Sequence, residues 1–85
     1  MHFVYIVECA DGTLYTGYTT DIERRLEEHN NERKGGAKYT AGRSPVELRF
    51  KECFDTRALA QKREHQIKSL SREQKKALIN GEIGL

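Results

Sequence analysis

The segment that most limits what this chain can become is Phe3-Val4-Tyr5-Ile6-Val7, followed at once by Ala10-Asp11-Gly12 and by Thr13-Leu14-Tyr15-Thr16. Aromatic and β-branched residues crowd both flanks, and Asp-Gly between two such runs is a strong hairpin signal. The first run alternates as a strand does, with Phe3, Tyr5 and Val7 on one side and Val4 and Ile6 on the other. Two turns compete. A two-residue turn at Asp11-Gly12 pairs Glu8 with Tyr15 and puts Tyr15 on the opposite sheet face from Tyr5. A three-residue loop Ala10-Asp11-Gly12, with a left-handed Gly12 forming a bulge, pairs Val7 with Tyr15 and puts both tyrosines on one face. Asp ahead of a glycine that needs positive φ suits a type I turn followed by that bulge, so the three-residue loop is the expected one.

With 85 residues the chain is sized for a single domain, 1–85, with a core spanning about 3–80. At 36% hydrophobic and 33% charged, with one Pro and seven Gly, it is neither a disordered nor a collagen-like composition. No apolar run approaches the roughly twenty residues that span a bilayer, and the first strand lacks the flanks of a signal peptide. A soluble, cytoplasmic protein with no membrane partner is expected. Cys9 and Cys53 form no C-x-x-C motif and are expected to be buried or half-buried free thiols.

Thr20-Asp21-Ile22-Glu23 has the spacing of a capping box and opens a helix expected to reach Asn30 or Asn31. Ile22, Arg25, Leu26 and His29 stand at i, i+3, i+4 and i+7 and share one face. An arginine and a histidine therefore occupy a stripe that normally buries apolar side chains. Residues 31–45, with Gly35-Gly36, Gly42 and Pro45, predict a loop. Val46 to Phe54 alternates apolar and polar residues and predicts a third strand. Asp55-Thr56 caps a helix over about Arg57–Leu70, whose apolar arc is Leu59, Ala60, Ile67 and Leu70, with Arg63 inside the arc and Glu64 at its edge. Ser71-x-x-Gln74 is a second capping box, opening a helix that ends near Asn80 with Gly81 as its stop. The outline is an α+β domain, a three-stranded antiparallel sheet flanked by helices in the order β-β-α-β-α-α.

Net charge is only +2, but its distribution is uneven. The first third is the more acidic. Arg33, Lys34, Lys38, Arg43, Arg49 and Lys51 face only Glu47 in sequence, and Arg57 to Lys76 is again rich in Lys and Arg. A polyphosphate partner fits that half of the chain, and a solvated Lys/Arg surface accounts for it equally well.

Two strand tyrosines, Arg25 and His29 on one helix face, and Glu64 on a later helix are the side-chain types that phosphoryl transfer needs. A carboxylate can hold one hydrated Mg²⁺, a guanidinium fork matches phosphate, and a tyrosine can serve as base if its pKa is lowered. At these residues the chain resembles the GIY-YIG nuclease superfamily, in particular its small stand-alone bacterial members. Phe3-Val4-Tyr5 corresponds to the first signature element and Tyr15-Thr16-Gly17 to the second. Tyr15 through Leu26, followed by His29-Asn30, resembles the family's signature strand and first helix. Lys34-Gly35-Gly36-Ala37-Lys38-Tyr39-Thr40 and Arg43-Ser44-Pro45 resemble its loop, and Arg63-Glu64 with Ile67-Lys68 its glutamate segment. Two positions depart from the pattern: Phe3 replaces the opening glycine, and Asn80 is the only candidate for an asparagine that many catalytic members carry after the glutamate.

The resemblance implies a metal-dependent endonuclease hydrolysing DNA phosphodiester bonds, structure-selective and acting in repair or recombination. It implies that Glu64 binds a single Mg²⁺ or Mn²⁺, that Tyr15 is the general base, and that Tyr5 positions or activates the attacking water. Arg25 would stabilise the phosphate and His29 would support it or relay a proton. Lys34, Lys38, Tyr39, Arg43 and Arg63 would contact nucleic acid. RNA stays open as a substrate, as does a protein partner that confers specificity. Singly these residues have plainer readings: strand tyrosines, a snorkelling Arg25, a helix-end His29, and Glu64 paired with Lys68. The functional alternative is a nucleic-acid-binding module that cuts weakly or not at all.

Overall fold

The computed structural model describes residues 1–30 and 45–82. In chain order the elements are β1 (His2–Glu8), β2 (Leu14–Thr19), α1 (Ile22–His29), β3 (Glu47–Phe54), α2 (Arg57–Lys68) and α3 (Arg72–Ile79). The strands form one antiparallel sheet in the order β2-β1-β3. The order and class are the expected ones.

The hairpin closes through the three-residue loop. Gly12 N–H donates to Cys9 O at 2.9 Å, Cys9 N–H donates to Thr13 O at 2.8 Å, and Gly12 sits at φ 84°. Asp11 accepts the Thr13 N–H at 3.1 Å, which braces the turn. The resulting register sets Val7 opposite Tyr15 and Tyr5 opposite Gly17, so the two tyrosines share a face.

β1 is the middle strand, and Val4 to Val7 are each almost wholly buried because helices cover both of its faces. On one side Tyr5, Val7, Cys9 and Val46 pack with Tyr15, Ile22, Leu26 and Leu48. On the other, Val4 and Ile6 pack with Ala60, Ile67 and Leu78. β3 divides its apolar residues between these clusters through a bulge. Ile6 faces Phe50 but Val7 faces Leu48, which leaves Arg49 unmatched and turns the strand over. Val46 and Leu48 thus join the α1 side, and Phe50 and Phe54 join the α2 side.

Three local expectations are corrected. The first helix is capped by Asp21, whose side chain accepts the Arg24 N–H, and not by Thr20. Thr19 Oγ1 accepts the Asp21 N–H at 3.1 Å and turns Asp21 into the cap position. In α2 the buried stripe is Ala60 and Ile67, whereas Leu59 is 52% exposed. Cys53 is exposed, while Cys9 is buried. Thr56 caps α2, and Ser71 with Gln74 forms the full capping box of α3, as expected. α3 stops where Gly81 takes a left-handed φ of 74°. No helix among the described residues is long and apolar enough to cross a membrane.

Candidate active site

Tyr5 comes from the central strand, Tyr15 from its edge neighbour, and Arg25 and His29 from the inward face of α1. The Tyr5 hydroxyl lies 2.8 Å from His29 Nε2, and Arg25 Nε donates to the same oxygen at 3.3 Å. Tyr15 completes the group, with its ring 5.4 Å from the imidazole and 6.5 Å from the Tyr5 ring, centroid to centroid. Arg25 also donates to Glu28 at 3.1 Å, which aims its guanidinium along α1. Arg24, next to it in sequence, is exposed, so Arg25 is the inward-facing arginine that helical spacing predicts.

Tyr5 and His29 are each 1% exposed. Burial raises the Tyr5 phenol to about 12, against the lowering pull of Arg25. Burial, helped by the charge of Arg25, lowers His29 to about 4. Both groups are therefore neutral near pH 7. Because a guanidinium only donates, the phenol proton is assigned to the bond with His29 Nε2, which makes the imidazole an Nδ1–H tautomer. Tyr15 is half-exposed and is the more accessible phenol of the pair.

Glu64 approaches from α2. It falls at i+4 from Ala60 and i−3 from Ile67, at the edge of the buried stripe of that helix, where Arg63 is the more buried of the two neighbours. Its side chain is 20% exposed and pairs with Lys68 at 3.1 Å, so the plain i,i+4 ion pair is present. Among the described residues no three His, Cys, Asp or Glu side chains form a metal-ligating group. A lone, partly exposed carboxylate suits a hydrated hard cation such as Mg²⁺, which keeps most of its waters, better than it suits zinc.

Gly17 is the residue that makes this arrangement possible. The Tyr5 ring lies across it, and a Cβ there would overlap the hydroxyl and stand 2.6 Å from Cζ. A glycine inside a strand signals such a close approach. Asn30 is the second residue that helical and strand patterns do not single out. Its Oδ1 accepts the Val46 N–H at 2.6 Å and its Nδ2 donates to Val46 O at 3.4 Å, tying the end of α1 to the chain entering β3. Arg63 donates to Glu52 at 2.6 Å and to Gln66 at 2.8 Å, which holds its guanidinium within the fold. Asn80 is the C-cap of α3 and lines a hollow with Glu8, Leu14 and Arg49. Lys34, Lys38, Tyr39 and Arg43 lie outside the described residues.

Comparison with known proteins assigns the chain to a family. Residues 1–77 match the GIY-YIG catalytic domain. A UPF0213 protein of Haloquadratum walsbyi is 64% identical over 91% of this chain and 84% of its own length. One from Staphylococcus saprophyticus is 54% identical over 93% of this chain and 94% of its own. The solution structure of a UPF0213 protein from Bacillus halodurans matches with a TM-score of 0.60 at 46% identity, covering 93% of this chain and 82% of that one. That match of residues 1–77, together with relatives more than half identical across nearly the whole chain, makes this protein a member of the GIY-YIG nuclease family.

Proposed function

We propose that the protein is a metal-dependent endonuclease that hydrolyses DNA phosphodiester bonds, selective for branched or flapped structures of the kind met in repair and recombination. The observation that carries the reading is the convergence of a half-exposed tyrosine, a buried neutral Tyr5–His29 pair and an inward arginine.

Hydrolysis needs a proton acceptor for water, positive charge at the phosphate, and geometry fixed before the reaction. Tyr15 takes the first task, because Tyr5, at about 12 and buried from solvent, is too weak an acid to give up its proton. Arg25 takes the second, a guanidinium being a planar fork that matches phosphate oxygens. Tyr5 and His29 take the third. The neutral imidazole holds the Tyr5 hydroxyl, the hydroxyl accepts from Arg25 Nε, and the Tyr15 ring packs against the imidazole. Glu64 would hold a single Mg²⁺ or Mn²⁺, which when bound supplies positive charge at the phosphate and acidifies water.

Purified protein with Mg²⁺ is expected to nick branched or flapped DNA, and Glu64→Ala to abolish cutting while leaving DNA binding largely intact. Equal trace activity in the two proteins would replace the enzyme with a binding module. The same panel, extended to RNA, decides the substrate.

A further inference from the structure

We propose that the cations where α3 meets the β1–β2 hairpin form a track for a phosphate backbone, carrying the nucleic-acid strand onward from Glu64 by way of Lys68, Lys75, Arg72 and Lys76. The proposal rests on the nuclease reading for what lies at the Glu64 end. Lys68, the last residue of α2, is bonded to Glu64 and so marks where the track meets the site. Arg72, Lys75 and Lys76 stand at i, i+3 and i+4 of α3, which places three like charges on one helical face.

Such a grouping opposes folding unless something offsets it. Lys75 is only half-exposed, and its ammonium is held below its ordinary pKa by burial and then by the charge of Lys68. Among the described residues, neither Lys75 nor Lys76 has an ion-pair partner. Arg72 is fixed by one donated bond to Gly12 O at 2.8 Å, leaving its other donors for a ligand. The surface between these cations is concave. One hollow is lined by Leu14, Arg72 and Lys75, the next by Leu14, Arg49 and Lys76, and Leu14 is their shared wall. The carboxylates that border the track are Glu8, already paired with Arg49 at 2.9 Å, and the exposed Glu73.

A row of cations along adjoining hollows, starting at a site for phosphodiester chemistry, matches a polymer with a phosphate at every step. One isolated phosphate would engage only part of it. A polynucleotide engages all of it and relieves the repulsion between Lys68 and Lys75.

The test measures binding without cleavage, using Glu64→Ala protein in EDTA and a fluorescein-labelled flapped duplex, followed by anisotropy across a salt series. Adding Lys75→Gln and Lys76→Gln together is expected to weaken binding about tenfold and to flatten the log–log salt slope by about 2, one unit for each phosphate that the protein no longer neutralises. Glu73→Gln is expected to tighten binding, a gain that misfolding does not produce. An unchanged slope and affinity in the double variant would overturn the track. So would an equal loss from Lys62→Gln, an exposed lysine outside both hollows, since bulk charge would then suffice. Absence of cutting by the wild type overturns the nuclease reading and leaves the slopes to judge the track alone.

Discussion

Replacing Gly17 with alanine asks whether the site really depends on a ring lying across bare backbone. Gly17 is not among the positive-φ glycines, so the ordinary expectation is that alanine stabilises by about 0.4–1 kcal/mol through the unfolded state. Here the new Cβ would stand 2.6 Å from Tyr5 Cζ and 3.0 Å from Cε2. Reaching a normal carbon separation near 3.5–4.0 Å requires the ring to retreat by about 1 Å. The ring is 1% exposed and has no free space to enter, so overpacking costs roughly 1–3 kcal/mol. The same retreat draws the hydroxyl away from His29 and Arg25, now at 2.8 and 3.3 Å, and strands buried polar atoms at about 1–3 kcal/mol more. The net is a destabilisation of roughly 2–4 kcal/mol, a large share of the stability usual for a domain of this length. Urea unfolding measures it directly, and the melting temperature should fall by roughly 10–25 °C. Tyr5→Leu removes every ring atom that the Cβ would meet, so in that background Gly17→Ala should be neutral or slightly stabilising. A wild-type background that tolerates Gly17→Ala, or a penalty of equal size in both backgrounds, would refute the reasoning.

Other outcomes follow from the same geometry. His29 is lowered from 6.5 to about 4, so the unfolded chain binds more protons between those values. Stability is then fully present above about pH 6.5 and falls by up to about 3 kcal/mol as the pH drops towards 4. Urea midpoints across that range should show the loss, and His29→Gln, with nothing to protonate, should flatten it. Asn30→Ala leaves the buried Val46 N–H without its acceptor, and a loss of about 1–3 kcal/mol is expected in the same assay.

How much of this is legible in the sequence depends on whether a feature is local. The loop at Ala10-Asp11-Gly12 can be read because its left-handed glycine is a local demand, and the register it dictates carries Tyr15 to the face of Tyr5. The inward turn of Arg25 and His29 is equally legible, since helical spacing does not depend on what the helix meets. The bulge at Arg49 is not. An alternating strand looks the same with or without an extra residue, and only the need to feed two cores reveals that Leu48 and Phe50 part company. The first helix cap fails for a different reason: Thr20 and Asp21 both offer an oxygen three residues ahead of an N–H, and the Thr19 hydroxyl decides between them. In α2 the expected arc includes Leu59, an apolar residue that the structure leaves outside, because a helical wheel does not say how far along an apolar arc the sheet reaches.

The placement of Glu64 bears on chemistry. A fully exposed glutamate would be one more solvated charge, and its pair with Lys68 would be worth little. At 20% side-chain exposure Glu64 borders the buried stripe of α2, the helix that packs against the sheet face opposite to α1. The edge strand β2 is what separates the two sides, and at Gly17 it carries no side chain. The glycine therefore admits the Tyr5 ring on the α1 side of the sheet. A sheet with helices on both faces ordinarily keeps its two cores apart. Here the candidate residues come from both layers: Tyr5, Tyr15, Arg25 and His29 from the α1 side, and Glu64 from the helix that covers the other.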